Sequence, residues 1–237
     1  MAPVHKQATL RESKLSTGIG WDDELHFNTQ LSSQWDSLVH WQHQPSGLAY
    51  NGITVTKEGL AAPSTSANQM PTLDHWHTAG GLVARGVLID FKAWSDARAR
   101  AEGKTGDEAK LHPLDGHRIT VSEIEAVARD QGVELRAGDV IIIRTGFTEV
   151  MQTPTPDDFA KLQSGTIAGM HGDMESVRWL WNNHFTAVAS DNISFEALMP
   201  LKEDGSVGTP EELGKAPSLI SPVMPCHRER TGRRLCQ

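Results

Sequence analysis

Gly138-Asp139-Val140-Ile141-Ile142-Ile143-Arg144-Thr145-Gly146 is the stretch on which the fold turns. Four consecutive β-branched residues closed by glycine are the strongest strand signal in the chain. Upstream, Thr120-Val121-Ser122-Glu123 opens a helix. Either Thr120 or Ser122 can cap it, and Thr120 has Glu123 three positions later to complete a capping box. That helix turns Ile124, Val127 and Ala128 inward and stops at Gly132. Further back, residues 82 to 91 (Leu82 to Phe91) follow Gly80-Gly81 and predict a buried strand. Downstream, residues 151 to 165 read as a turn and a short helix. Residues 174 to 183 have helical spacing with Val177, Leu180 and Trp181 on one side, and residues 185 to 191 form a further strand. Helix followed by strand, twice over, predicts an α/β core around a mixed β-sheet. Two strands finish in small polar residues, Arg144-Thr145-Gly146 and Ser190-Asp191-Asn192, and sites in α/β sheets often lie at such carboxyl ends.

The rest of the chain divides by composition. Residues 1 to 20 are polar and read as a flexible arm. Residues 21 to 200 carry the organised domain. Residues 201 to 237 are irregular and end in an Arg-rich tail, an atypical or truncated end. The 237 residues hold 22 Lys+Arg against 30 Asp+Glu, a net charge of −8. That balance argues against nucleic-acid binding, which needs a positive surface to displace counterions from phosphates. No apolar run approaches the roughly 18 residues a membrane helix requires, and the first residues show no apolar core of a secretory signal. The two cysteines, Cys226 and Cys236, cannot build a disulfide framework, so a reducing, cytoplasmic setting is expected.

The polar cluster Gln30-x-x-x-Gln34-x-Asp36-x-x-x-His40 is the candidate for chemistry. On a strand, Gln30, Gln34 and Asp36 would share one face. Polar side chains buried without partners cost about 1–3 kcal/mol each. Such a face is therefore either the wall of a polar site or a solvent-facing edge with His40 in the turn after it. Trp35 and Trp41 flank the cluster and favour a pocket. His75 and His77 alternate around Trp76; two imidazoles on one face would suit a metal, and a surface strand or turn is the stronger alternative. His171 precedes a helix and suits capping, and His112 and His117 look like loop residues. Asp191 is either a pocket residue or a turn former, and Glu175 suits a helix N-terminus.

With these residues in view, the chain resembles the Putative cyclase family, which includes bacterial kynurenine formamidases. Its signature is His-x-Gly-Thr-His-x-Asp-x-Pro-x-His, and the register falls on Gln30 through His40. Gly86-Val87-Leu88-Ile89-Asp90 and the Gly138 to Gly146 stretch look like the family's strand motifs, the second being quite specific. The Ser-Ser-Gln-Trp-Asp wording is similar to a fungal-type branch in which glutamines replace the two histidines. The resemblance covers roughly residues 22 to 200. It implies a swivelling β/β/α fold and a hydrolase of a formamide-type C–N bond, of the arylformamidase class that takes N-formylkynurenine to kynurenine in tryptophan catabolism. It also implies metal ligands at Gln30, Gln34 and Asp36 and an acid/base at His40, with Asp36 acting beside it. Gln30, Gln34, Trp35 and Trp41 would contact a small-molecule substrate. The implied cofactor is a divalent metal, manganese or zinc. Amide oxygens are far weaker zinc ligands than imidazole, and a metal-free site in which the glutamines hydrogen-bond the substrate is the alternative. The family's later His and Glu have no counterpart: His227 and Glu229 stand too close together. Two further readings stand beside the hydrolase: a cyclase or dehydratase of secondary metabolism, and a non-catalytic relative that binds a small molecule or a partner. Family members are often oligomers, so a homo-oligomer is expected.

Overall fold

The computed structural model describes residues 9–14, 21–26, 33–43, 46–199 and 206–208. The chain falls into two compact units, Met1–Ser37 and Leu38–Gln237. In the first, β1 (Thr9–Lys14) pairs antiparallel with β2 (Trp21–His26), Thr9 opposite His26 and Lys14 opposite Trp21. The expectation of a loosely held arm over residues 1 to 20 does not describe Thr9–Lys14, which is a strand with a partner. Its pattern is too polar to show that from sequence.

The second unit is built on a parallel sheet in the order β3 (Gly86–Ile89), β5 (Val140–Ile143), β7 (Ala187–Ser190). The central strand is the Val-Ile-Ile-Ile run. Its register sets Leu88 beside Ile142 beside Ala189, and Ile89 beside Ile143 beside Ser190. The fold is α/β, as expected, although the core sheet is parallel throughout; among the described residues the antiparallel pairs are β1 with β2 and the single bridge His43–Leu48. Parallel neighbours need crossovers, and helices supply them. Between β3 and β5 run α3 (Phe91–Ala101) and α4 (Val121–Asp130). Between β5 and β7 run α5 (Phe147–Val150), α6 (Pro156–Ser164) and α7 (Met174–Asn182). A two-stranded parallel ladder, β4 (Arg118–Ile119) with β6 (Gly169–Met170), was not legible in sequence because two residues carry no periodicity. Gly169 also lets the backbone at Glu196 close in for the parallel bridge between Met170 and Glu196: a Cβ there would stand 2.5 Å from the backbone carbon of Glu196.

One face of the sheet meets the helices. Val87, Ile89, Ile141 and Ile143 lie at most 4% exposed with Phe91, Ile119, Ile124, Val127 and Met170. Each such side chain stabilises the fold by roughly 1.5–3 kcal/mol through apolar burial. The other face is less covered, and Leu88 is 46% exposed. The predicted strand over residues 82 to 91 is shorter than expected: Val83 is 91% exposed, and Asp90 instead caps α3 by accepting from the Ala93 N–H.

The helix starts follow the sequence closely. Thr120 and Glu123 form the reciprocal capping box of α4, and Thr155 and Asp158 form one for α6. Ile124, Val127 and Ala128 are buried as expected. On α7 the expected apolar side needs one correction. Val177 is buried, but Trp181 is 48% exposed, and Trp179 packs instead, its ring tilted at 54° to that of Phe185 and its Nε1–H donated to Glu125. After α7, His184 has φ +54°, a left-handed conformation that favours glycine. His184→Gly is therefore expected to stabilise the protein by about 0.5–1 kcal/mol. Urea denaturation reads this directly, and a loss of stability would contradict it.

Asp139, of the Gly-Asp-Val motif, is a structural residue. It is 3% exposed and binds Arg85 in a two-pronged pair, Nε to Oδ1 at 2.8 Å and an Nη to Oδ2 at 2.7 Å. The Arg136 N–H also donates to it at 2.7 Å. The pair ties the start of β5 to the residue before β3. The Arg85 guanidinium holds the Asp139 carboxyl below the usual carboxylate value against the opposing effect of burial. A lowered folded pKa stabilises above the unfolded value and is lost as pH falls through the folded one. The wild-type Tm should therefore fall as pH drops below about 5, and Asp139→Asn should remove part of that fall while lowering Tm at pH 7. A Tm-against-pH series in which the two curves run parallel would refute this.

Candidate functional site

The signature segment, Gln30 to His40, holds the residues expected to act. Residues 33 to 37 have no strand structure, so the expected strand face does not form there. Gln34 is exposed, Asp36 is half-buried, and Gln34 Nε2–H donates to Asp36 Oδ1 at 2.5 Å. Trp35 is 54% exposed. Gln30 lies outside the described residues. The division between the two units falls after Ser37, so Gln34 and Asp36 belong to the first unit and His40 and Trp41 to the second. His40 is exposed in a turn, and Trp41 is half-buried with its Nε1–H enclosed and without an acceptor among the described residues.

The donor set can be compared with what a metal needs. Gln34 turns its NH2 toward the Asp36 carboxylate and so keeps Oε1 for another partner. One carboxylate and one amide oxygen are hard donors, better matched to manganese, magnesium or calcium than to zinc. Two oxygens do not complete the shell of any of these ions. Among the described residues no group of three or more His, Cys, Asp or Glu gathers where it could hold a metal.

The carboxyl ends of the parallel strands hold a second concentration of polar groups. The Asp191 carboxylate, after β7, accepts from Thr145 N–H at 2.6 Å, Thr145 Oγ1 at 2.9 Å, Gly146 N–H at 2.9 Å and Thr148 Oγ1 at 3.4 Å. Its capacity is spent on fixing the Arg-Thr-Gly turn, so of the two sequence readings the structural one describes it. Gly146, at φ +88°, lies against the Lys92 stem; a Cβ there would sit 3.0 Å from Lys92 Cδ. Arg144 spans Asp90 and Glu149, both at 2.8 Å, and the Asp90 carboxylate raises its pKa. A cleft of about 350 Å³ lies beside this rim, lined by Lys92, Lys161, His112, Asp115 and Glu149 among others. Its charges are already matched. Lys92 binds Asp96 at 2.5 Å, Lys161 binds Asp115 at 2.8 Å, and His112 Nε2 meets Asp158 at 3.1 Å. These partners lie up to 46 residues apart, which is why spacing in the sequence did not reveal them.

The remaining histidines settle simply. His171 pairs with the α7 cap Asp173 at 3.1 Å, in keeping with a role at the helix start. His117 lies 3.1 Å from Glu123 and stacks on Phe91 with ring centroids 5.3 Å apart. His75 and His77 lie on a helix, α2 (Leu73–Thr78), and not on a strand or turn. At 100° per residue, positions two apart point about 200° away from each other, so the two imidazoles cannot share a metal. His227, Glu229, Cys226 and Cys236 lie outside the described residues.

Among the described residues no helix is long and apolar enough to cross a membrane. A comparison with curated proteins gives no match. Among solved structures, the crystal structure of a novel cyclase matches with a TM-score of 0.51 and 24% identity, covering 76% of this chain and 53% of its own. The chain thus spans about half the length of that structure, and the likeness is one of fold. The family model described as Putative cyclase matches residues 2–197, most of the 237. On that match the chain belongs to the Putative cyclase family.

Proposed function

We propose that the protein hydrolyses a formamide-type C–N bond in the manner of an arylformamidase, N-formylkynurenine to kynurenine being the model reaction. The observation that carries this reading is the signature register, in which Asp36 and His40 keep the acidic and basic groups while the flanking positions are glutamines. The Gln34 amide on the Asp36 carboxylate supports it, because it fixes the carboxylate's orientation. Water adds to the formyl carbon as Asp36 accepts its proton. The C–N bond then breaks as His40 delivers a proton to the leaving aromatic amine, and formate departs. Trp35 and Trp41 offer flat apolar surface to the aromatic ring. Gln30, Gln34 and Asp36 are the residues that would hold a divalent ion, manganese ahead of zinc. Such an ion polarises a carbonyl as a Lewis acid.

The test uses chelator-stripped protein on N-formylkynurenine, with and without manganese or zinc. Release of formate under at least one condition is expected, and no turnover under any of them would defeat the reading. The family's own description favours one other reading, ring closure with loss of water. Product mass separates the two, since hydrolysis adds a water and closure removes one. With the hydrolase reading go a small-molecule substrate, a cytoplasmic setting and a homo-oligomer. Cell fractionation and native mass measurement check the last two, and a monomer at working concentration would remove the oligomer.

A further inference from the structure

The segment between the signature and the core sheet forms a cleft of about 590 Å³ over α2, within the size range of small-molecule sites. Its lining differs in kind from that of the charged cleft at the sheet rim. Ile53, Met70 and Pro71 supply apolar surface, and Gln69, His75 and Trp76 supply polar groups. No Lys, Arg, Asp or Glu lines it. The side chains of Gln69, His75 and Trp76 form no hydrogen bond among the described residues.

The frame behind this lining is fixed. Asn68, 8% exposed, donates through Nδ2 to Thr72 Oγ1 at 2.6 Å and to Asp74 Oδ2 at 3.2 Å, and its Oδ1 accepts the Met70 N–H at 2.8 Å. Thr72 Oγ1–H also donates to Asp74. That hydroxyl above all, with Thr65 and Asn68, lowers the Asp74 pKa to about 2. The negative charge is thereby engaged within the frame and is not presented to the cleft. Met70 is held from below by α1 (Lys57–Leu60): a Cβ on Gly59 would lie 3.0 Å from Met70 Cε. The helix then sends two successive rings, His75 and Trp76, into the cleft, while His77 is exposed outside it.

We infer that this cleft binds a neutral, planar aromatic molecule carrying a carbonyl or amino group at its edge. Each property follows from the lining. Two rings and a thioether favour a flat aromatic face. An indole N–H, an imidazole and a carboxamide, all without partners, can meet edge donors and acceptors. An ionic ligand would lose its water without gaining an opposite charge. The inference does not rest on the hydrolase reading and uses none of its residues.

The test is a fluorescence titration of the full chain with 2-aminobenzamide, which is neutral, planar and emissive. Saturable binding with a Kd on the order of 1 mM or tighter is expected for a molecule of this size. Trp76→Ala and Gln69→Ala should each weaken it at least about fivefold, while Trp181→Ala, on the exposed side of α7, should leave it unchanged. The anion 2-aminobenzoate should bind at least about tenfold more weakly. Should Trp76→Ala fail to fold by circular dichroism, Gln69→Ala and His75→Ala decide the matter, because Gln69 is exposed and His75 only half-buried. No saturation up to about 10 mM, unchanged binding in the lining variants, or equal affinity for the anion would each overturn the inference. Failure of formamide hydrolysis would leave it standing.

Discussion

Asp191→Ala is expected to lower the free energy of unfolding by about 3–4 kcal/mol, the largest stability effect of any single polar substitution considered for this protein. The carboxylate accepts two backbone N–H groups and two hydroxyls from the turn that follows β5. Thr145, which supplies two of these donors, is fully buried. Alanine removes every acceptor at once from a turn whose Thr145 is shielded from water in the intact fold. A buried donor left unpaired costs about 1–3 kcal/mol, and the total falls short of the simple sum because the turn can relax. Asp191→Asn keeps one acceptor oxygen and places an NH2 against a donor, so it should fall between wild type and alanine. Urea denaturation with an unchanged m-value measures the series. A loss under about 1 kcal/mol for alanine would mean that the turn holds itself.

His40→Ala should reduce kcat for formamide hydrolysis by about 10²–10⁴-fold, the usual weight of a positioned acid/base. His40 is exposed, so its removal should change stability by no more than about 0.5 kcal/mol. Asp36→Ala should lose activity on the same scale. Gln34→Ala should cost less, since Gln34 orients Asp36 through the 2.5 Å hydrogen bond and would offer a metal only a neutral amide oxygen. The three variants are compared in kcat and KM against N-formylkynurenine after the metal requirement has been determined. Asp36→Ala with full activity would defeat the proposed site, since Asp36 is its base and its one charged metal donor.

The core was readable because its signals are local. The Val140 to Ile143 run names the central strand, Thr120 with Glu123 names the start of α4, and Gly132 ends its turn. β-Branching, capping and left-handed glycine act within a few residues, so the chain displays them directly. The signature segment was harder to read. Gln30, Gln34 and Asp36 have the even spacing of a strand face, but spacing reports a face only if the backbone is extended and paired. Residues 33 to 37 make no ladder. His75 and His77 failed for the same reason, since the step of two that unites a strand face divides a helix.

By itself, then, the sequence determined the α/β class, the central strand, the helix caps and the family, all of which rest on neighbours along the chain. The tertiary structure alone decided which polar residues are committed to holding the fold. Asp139 meets Arg85 across 54 residues, and Asp191 meets Thr145 across 46. It also decided that the polar groups over α2 remain unpartnered around a cleft. A carboxylate or an imidazole has the same formula in either role. Only the atoms packed around it determine whether its hydrogen bonds are already made.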